Sequence, residues 1–286
     1  MPEGPEVRHS HDVLQQFIGM RVRTACPVGG RYASSAPPGH DAWWGDTVWW
    51  RSNDVRLLAI EVKGKLMWWR LGEPGADPAA CWHLLCTYGM TGGWMTGQST
   101  HPAFMFVLER TDGDPGLVEL TFDDVRHFGT LKFTRGMHEL ERKLASLGPD
   151  MLVAPPDELG FAQRILRRPC VTLAEALMDQ RTVCGIGNYV KAESLWLARL
   201  SPHRIVSDLT TDEIVCLRGA VVTVLAQSYA LKGATIKSYA DPDGNVGEAT
   251  SRFACYGRRI DPDGLSIVSE ETRDGRNTWW CPERQR

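Results

Sequence analysis

The spacing of hydrophobic positions changes twice along the chain. Over residues 6–18, Val7, Leu14, Phe17 and Ile18 share one helical face, and Gly19 follows as a C′ stop. From about 20 to 135 the period shortens. Runs rich in β-branched, aromatic and aliphatic residues at 47–50, 57–62 and 104–108 alternate with Gly, Pro and Asp turns, which predicts a β-sandwich or barrel. Trp43, Trp44, Trp49, Trp50, Trp68 and Trp69 are read as core and sheet-face aromatics. A short helix at 137–146 leads into the breaker Leu147-Gly148-Pro149-Asp150, where the pattern predicts a domain boundary. Helical periodicity then covers 158–167, 172–183, 189–199 and 211–231, the last opened by the capping box Thr210-Thr211-Asp212-Glu213. A loop rich in Gly, Asp and Ser at 238–252 precedes two short strands, at 265–269 and 277–281, that read as a hairpin.

This order predicts an α+β protein: an N-terminal β-sandwich with flanking helices over 2–150, a helical domain over 151–235, and a loop and hairpin over 236–286. A length of 286 residues fits two cores. Composition changes the picture little, since 43% hydrophobic and 23% charged residues are ordinary for a globular chain. The start, Met1-Pro2-Glu3-Gly4-Pro5-Glu6, is acidic and polar, unlike a secretory signal, and no uninterrupted apolar run reaches membrane-span length. An intracellular address is expected, nuclear if the source is eukaryotic. Eight cysteines form no Cys-x-x-Cys pair, which predicts reduced thiols. A net charge of −3 and a pI near 6.2 argue against nucleic-acid binding, where a basic footprint is usual. Local charge runs the other way: Arg164, Arg167 and Arg168 cluster, and residues 251–286 carry seven arginines against six acids.

The first chemistry-bearing feature is Pro2. A small second residue favours removal of Met1, which exposes a secondary amine. An α-amino group has a pKa of about 7.7–8.0, so roughly a tenth is neutral at pH 7. Such an amine attacks C1′ of a deoxyribose, displaces the base and forms an iminium that acidifies C2′. Glu3 is placed to shuttle protons at the sugar oxygen, and Glu6, one helical turn on, to steady the amine. By itself, Pro-Glu after Met is a common start without chemical meaning.

The opening Met1-Pro2-Glu3-Gly4-Pro5-Glu6-Val7 resembles that of the formamidopyrimidine-DNA glycosylase and endonuclease VIII (Fpg/Nei) family, which uses this proline as its nucleophile. The resemblance continues in family order. Lys63-Gly64-Lys65 is similar to the family's Gly-Lys strand and implies that Lys65 contacts a phosphate and assists elimination. Thr87-Tyr88-Gly89-Met90-Thr91-Gly92-Gly93 resembles the loop whose methionine fills the gap left by an extruded base. Asp124-Val125-Arg126-His127-Phe128-Gly129 resembles the loop that supplies the other two wedge residues, which assigns Arg126 to the orphaned base and Phe128 to the opened stack.

Ala176 to Glu193, containing Gly185-Ile186-Gly187-Asn188-Tyr189, is very similar to the helix–two-turn–helix of the family, especially its Nei-like branch. The glycines permit a tight turn near DNA, and Asn188 is expected to cap a helix whose free N–H groups face a phosphate. Gly275-Arg276-Asn277-Thr278-Trp279-Trp280-Cys281 resembles the C-terminal finger, whose hairpin arginine, here Arg276, grips phosphates. The finger departs from the family's zinc pattern. Asp261-Pro262-Asp263-Gly264 stands where one pair of cysteines belongs, and Arg284 replaces the partner of Cys281. With four ligands the norm for structural zinc, a zincless hairpin is expected, held by Ile260, Leu265, Ile267, Val268 and Trp279–Trp280, with no metal or cofactor.

The resemblance implies a monomeric, bifunctional DNA glycosylase and AP lyase of base-excision repair, acting on damaged duplex or single-stranded DNA by base extrusion and β,δ-elimination. The Nei-like motifs favour oxidised pyrimidines, with formamidopyrimidines and hydantoins also accommodated. Ser238 to Gly247 instead resembles the loop that covers 8-oxoguanine in the Fpg branch. A non-catalytic binder of damaged DNA would keep Asn188 and Arg276 but has no use for Pro2, Glu3 and Lys65; an RNA-binding helix–two-turn–helix protein has no use for the wedge loops.

Overall fold

The computed structural model describes residues 2–46, 54–111, 116–236 and 239–286. The strand expected at 47–50, with Trp49 and Trp50, and Ser238 of the glycine-rich loop lie outside them. By contacts the chain falls into two compact units. One comprises Met1–Pro2, Glu6–Ala145 and Ala234–Gly247; the other comprises Glu3–Pro5, Ser146–Gly233 and Glu248–Arg286. The sequence pattern, by contrast, places 3–5 and 146–150 with the sandwich and 236–247 with the C-terminal segments.

Helix α1 (Gly4–Leu14), which belongs to the first unit from Glu6 on, ends in a 3-10 turn, and Gly19 takes a φ of 90° that only glycine adopts cheaply. Among the described residues of the first unit eight strands follow: β1 (Arg21–Pro27), β2 (Arg56–Lys63), β3 (Leu66–Gly72), β4 (Trp82–Thr87), β5 (Gly93–Thr96), β6 (Pro102–Glu109), β7 (Leu117–Asp123) and β8 (Thr130–Arg135). They form one antiparallel sheet in the order β5-β7-β6-β1-β2-β3-β4-β8. Between β1 and β2 the register holds at Arg21 and Arg56, so the sheet folds there into two four-stranded layers. Aromatic side chains from the two layers meet between them. Trp69 of β3 lies 4.4 Å from Trp94 of β5 and 5.1 Å from Phe106 of β6, centroid to centroid. Trp43, on α2 (His40–Trp44), stacks on Phe133 of β8 at 4.6 Å. The expected sandwich is thus built on aromatic packing, with fully buried Trp43, Trp69 and Trp94 at its centre. Trp44 is half-exposed and stacks on His40. The unit also holds α3 (His138–Ala145).

The second unit contains α4 (Glu158–Ile165), α5 (Leu173–Met178), α6 (Asn188–Ala198), α7 (Thr211–Ala230) and a hairpin of β9 (Val268–Glu271) with β10 (Asn277–Trp280). Reciprocal capping boxes start α7, at Thr210 and Glu213, and α5, at Thr172 and Glu175. Helix α5 stops five residues earlier than the periodicity predicts. Asp179 leaves helical geometry there, and its carboxylate takes the backbone N–H and guanidinium of Arg181 and the guanidinium of Arg168. Helix α7 is long and apolar enough to cross a membrane by length and composition alone. Its Ile214, Leu217, Val221 and Leu225 are buried, and acids in its first turn complement the helix dipole. All eight cysteines are free thiols, five of them buried.

Candidate active site

The clearest local design lies where Glu3 meets the start of α6. Glu3 is 1% exposed. Its two carboxylate oxygens accept the N–H groups of Tyr189, at 3.0 Å, and Val190, at 3.2 Å. These are orphan donors of the first helical turn, where the helix dipole favours an anion. Two glycines make the approach feasible. Gly185 turns with a φ of 97° and its carbonyl accepts the Gly4 N–H at 2.8 Å. A Cβ on Gly187 would stand 2.2 Å from Glu3 Cδ. The N-cap is Gly187, and Asn188 makes no cap bond; it donates Nδ2 to the Asn277 carbonyl of β10 at 2.8 Å. The expected cap by Asn188 and the expected free N–H groups are therefore corrected. A carboxylate from the far end of the sequence occupies that position. Pro2, the next residue back, is buried.

Behind this clasp, Lys191 is fully buried and pairs with Asp274 of the hairpin turn at 2.6 Å. Burial pulls the lysine below its usual range, against the opposing charges of Asp274 and Glu3. Tyr256 is pushed up by burial and by the charge of Glu3. Glu193, one turn after Tyr189, accepts the N–H groups of Ala254, Cys255 and Tyr256, and burial raises its carboxyl despite those bonds. The hairpin turn holds Arg276, which is exposed, and Gly275 provides the positive φ of 72° that the turn needs.

The hairpin is held differently from expectation. Ile260 is 61% exposed and Val268 38% exposed, so neither anchors it. Asp261 takes over much of that role. Its carboxylate accepts the N–H groups of Asp263 and Leu265 and the indole N–H of Trp196. Arg284 pairs with Asp263 and lies over the Trp196 ring at 4.2 Å. Because Leu265 is drawn into this turn, β9 begins at Val268 rather than 265. Tyr256 packs on Trp279 at 4.4 Å, and Thr272 bonds Thr278 across the strands.

In the first unit, Glu6 has its carboxylate on the Ala234 N–H at 2.6 Å and its carbonyl under the Tyr239 hydroxyl. It thereby anchors the segment 234–247, a role the sequence does not suggest. The same segment is tied to α1 through His9 and Asp241, and to β5 through Thr96 and Pro242. Lys65 follows Gly64 in a two-residue turn between β2 and β3, with Gly64 at a φ of 58°. Neighbouring Lys63 donates to the Leu144 carbonyl. The loops carrying Met90 and Arg126–Phe128 are brought together by Asp124, which is 1% exposed and bonds Thr91 and the N–H groups of Arg126 and Gly129. Phe128 is 52% exposed, with the Arg126 guanidinium 5.1 Å from its ring centre. Beside them opens a cavity of about 240 Å³ lined by Thr91, Met95, Gln98, Asp123, Tyr239 and Ala240.

Comparison with known proteins accords with this architecture. Residues 1–131 match the formamidopyrimidine-DNA glycosylase N-terminal domain, and residues 147–240 match the formamidopyrimidine-DNA glycosylase H2TH domain. The chain is 36% identical to a formamidopyrimidine-DNA glycosylase of Thermus thermophilus, over 100% of this chain and 98% of that one. The crystal structure of the MutM (Fpg) protein of Thermus thermophilus superposes with a TM-score of 0.79 at 29% identity, covering 99% and 98% of the two chains. A Lactococcus lactis Fpg variant in complex with Fapy-dG DNA shares the fold, with a TM-score of 0.82 at 21% identity over the full length of both. The fold and these matches define a two-domain, H2TH-containing DNA glycosylase. The chain belongs to the formamidopyrimidine-DNA glycosylase family, and it is a DNA N-glycosylase with AP lyase activity in base-excision repair.

Proposed function

We propose that the chain removes oxidised bases from damaged DNA through an iminium formed on Pro2. The observation that carries the reading is the clasp of Glu3 on the N-terminus of α6, next in sequence to a buried Pro2. A carboxylate held by two N–H groups at a helix N-terminus is fixed in position. With Met1 removed, the Pro2 nitrogen attacks C1′ as the base departs, and Glu3 exchanges a proton with the sugar oxygen. The resulting iminium acidifies C2′, and β- then δ-elimination opens the strand on both sides. Lys65 takes a phosphate beside the lesion. Met90, Arg126 and Phe128 fill the space of the extruded base, while Asn188 and Arg276 hold flanking phosphates. Glu6 serves the reaction indirectly, by anchoring 234–247.

Among lesions, formamidopyrimidines come first, supported by the full-length relative named for them. Oxidised pyrimidines are the second reading, supported by the Nei-like run from Gly185 to Glu193. Duplexes carrying a formamidopyrimidine, thymine glycol or 8-oxoguanine, compared under single-turnover conditions, separate the two. Fastest release of the formamidopyrimidine supports the first, and fastest release of thymine glycol the second. Binding without excision of any base would overturn the catalytic reading in favour of a damaged-DNA binder.

A further inference from the structure

Met90 on one side, and Arg126 and Phe128 on the other, lie on separate turns of the first unit, yet one hydroxyl joins them. Thr91 Oγ1 donates to Asp124 Oδ1 at 2.6 Å and accepts the Arg126 N–H at 3.1 Å. Asp124 also takes the Gly129 N–H on Oδ2 at 2.7 Å, so its carboxylate spans both ends of the Arg126–Phe128 segment. The residue on the other side of Met90 is fixed as well. Gly89 has a φ of 59°, and a Cβ there would stand 2.5 Å from the Phe128 carbonyl carbon. Between Arg126 and Phe128, His127 is held at a φ of 59°, a conformation that costs a non-glycine residue energy and persists where its surroundings over-determine it.

We propose that Thr91 is a positioning residue that locks Met90, Arg126 and Phe128 into one frame, so that the three enter a duplex as a unit. The inference rests on the wedge roles given above. Its physical basis is preorganisation: two loops ordered independently at the moment of base extrusion would each lose conformational freedom, whereas a frame already closed in the free protein has lost it on folding. Thr91 also lines the cavity beside the loops, so the same bonds set one of its walls.

The test compares excision from a lesion duplex with strand cleavage at an abasic site in a single-stranded oligonucleotide, where no base has to be extruded. Thr91→Val removes the hydroxyl and keeps the shape; Thr91→Ser restores it. Loss of two hydrogen bonds predicts that Thr91→Val lowers the ratio of duplex to single-strand rates about tenfold. Thr91→Ser brings the ratio back. The effects of Met90→Ala and Arg126→Ala, coupled in the wild-type background, become additive in Thr91→Val. An unchanged ratio in Thr91→Val, with Met90→Ala still slowing duplex excision, overturns the proposal while leaving the wedge reading intact. A Met90→Ala variant that excises from duplex at the wild-type rate overturns the wedge reading and the proposal together. Equal losses on both substrates in Thr91→Val would mean general damage and also overturn it.

Discussion

Glu3 occupies the space that Gly187 leaves by having no side chain: a Cβ there would stand 2.2 Å from the Glu3 carboxyl carbon. The N–H groups of Tyr189 and Val190 then close on the same carboxylate. A residue near the start of the chain and a turn far along it are built as one piece, which gives the Gly-Ile-Gly-Asn sequence a purpose besides DNA contact.

Gly187→Ala should therefore act on catalysis through Glu3. The added methyl has no room unless Glu3 moves, and overpacking of this kind costs about 1–3 kcal/mol. Thermal melting should show that loss, and base excision should fall far more than melting implies. Full activity at wild-type stability would show that Glu3 tolerates displacement.

Glu3→Gln retains the shape and removes the charge. Base removal should drop about 10²–10⁴-fold, the range for a positioned acid–base group. Binding to a lesion duplex should survive, because the phosphate contacts are assigned to Lys65, Asn188 and Arg276 and not to Glu3. Single-turnover release of base, measured beside a binding titration, checks both. Unchanged release would remove Glu3 from the chemistry.

The Lys191–Asp274 pair should behave as a buried ion pair does. Lys191→Met alone strands Asp274 and should cost about 3–5 kcal/mol, whereas replacing both partners by apolar residues should recover most of it. Melting of the two single variants and the double variant completes the cycle. Additive losses would show that the two side chains do not depend on each other.

The finger should be indifferent to chelators and sensitive to acid. Burial disfavours ionised Asp261, but the N–H groups of Leu265 and Asp263, Trp196 and the nearby Arg284 outweigh it and hold the carboxyl below its usual range. Its contribution is then complete above the unfolded-state value of about 3.9 and is lost as pH falls through the lower folded-state value. EDTA should leave the melting temperature at neutral pH unchanged, and Asp261→Ala should lower stability by about 1–3 kcal/mol. A melting temperature that falls on chelation would mean that a metal holds the finger.

Much of this is legible in the chain because it is local. The capping box at Thr210 and Glu213, the Gly19 stop and the apolar run at 104–108 of β6 depend on neighbours a few residues away. The same kind of signal, Thr172 with Glu175, stands at the start of the helix expected over 172–183 and is local as well. What escapes a sequence reading depends on distant partners. Asn188 has the right chemistry for a cap, and only the arrival of Glu3 shows why it is not one. Thr91 and Asp124 look like ordinary loop residues until their turns are placed side by side. Asp261 reads as the loss of a cysteine, although its carboxylate organises the turn that the hydrophobic residues are expected to hold.

Whether Pro2 is the nucleophile can be decided by borohydride reduction during reaction with an oligonucleotide containing an abasic site, followed by mass mapping of the adduct. The expected product is a covalent protein–DNA adduct on the N-terminal peptide, lost when residues are added ahead of Pro2. An adduct that maps to a lysine, or one that survives the N-terminal extension, would rule Pro2 out.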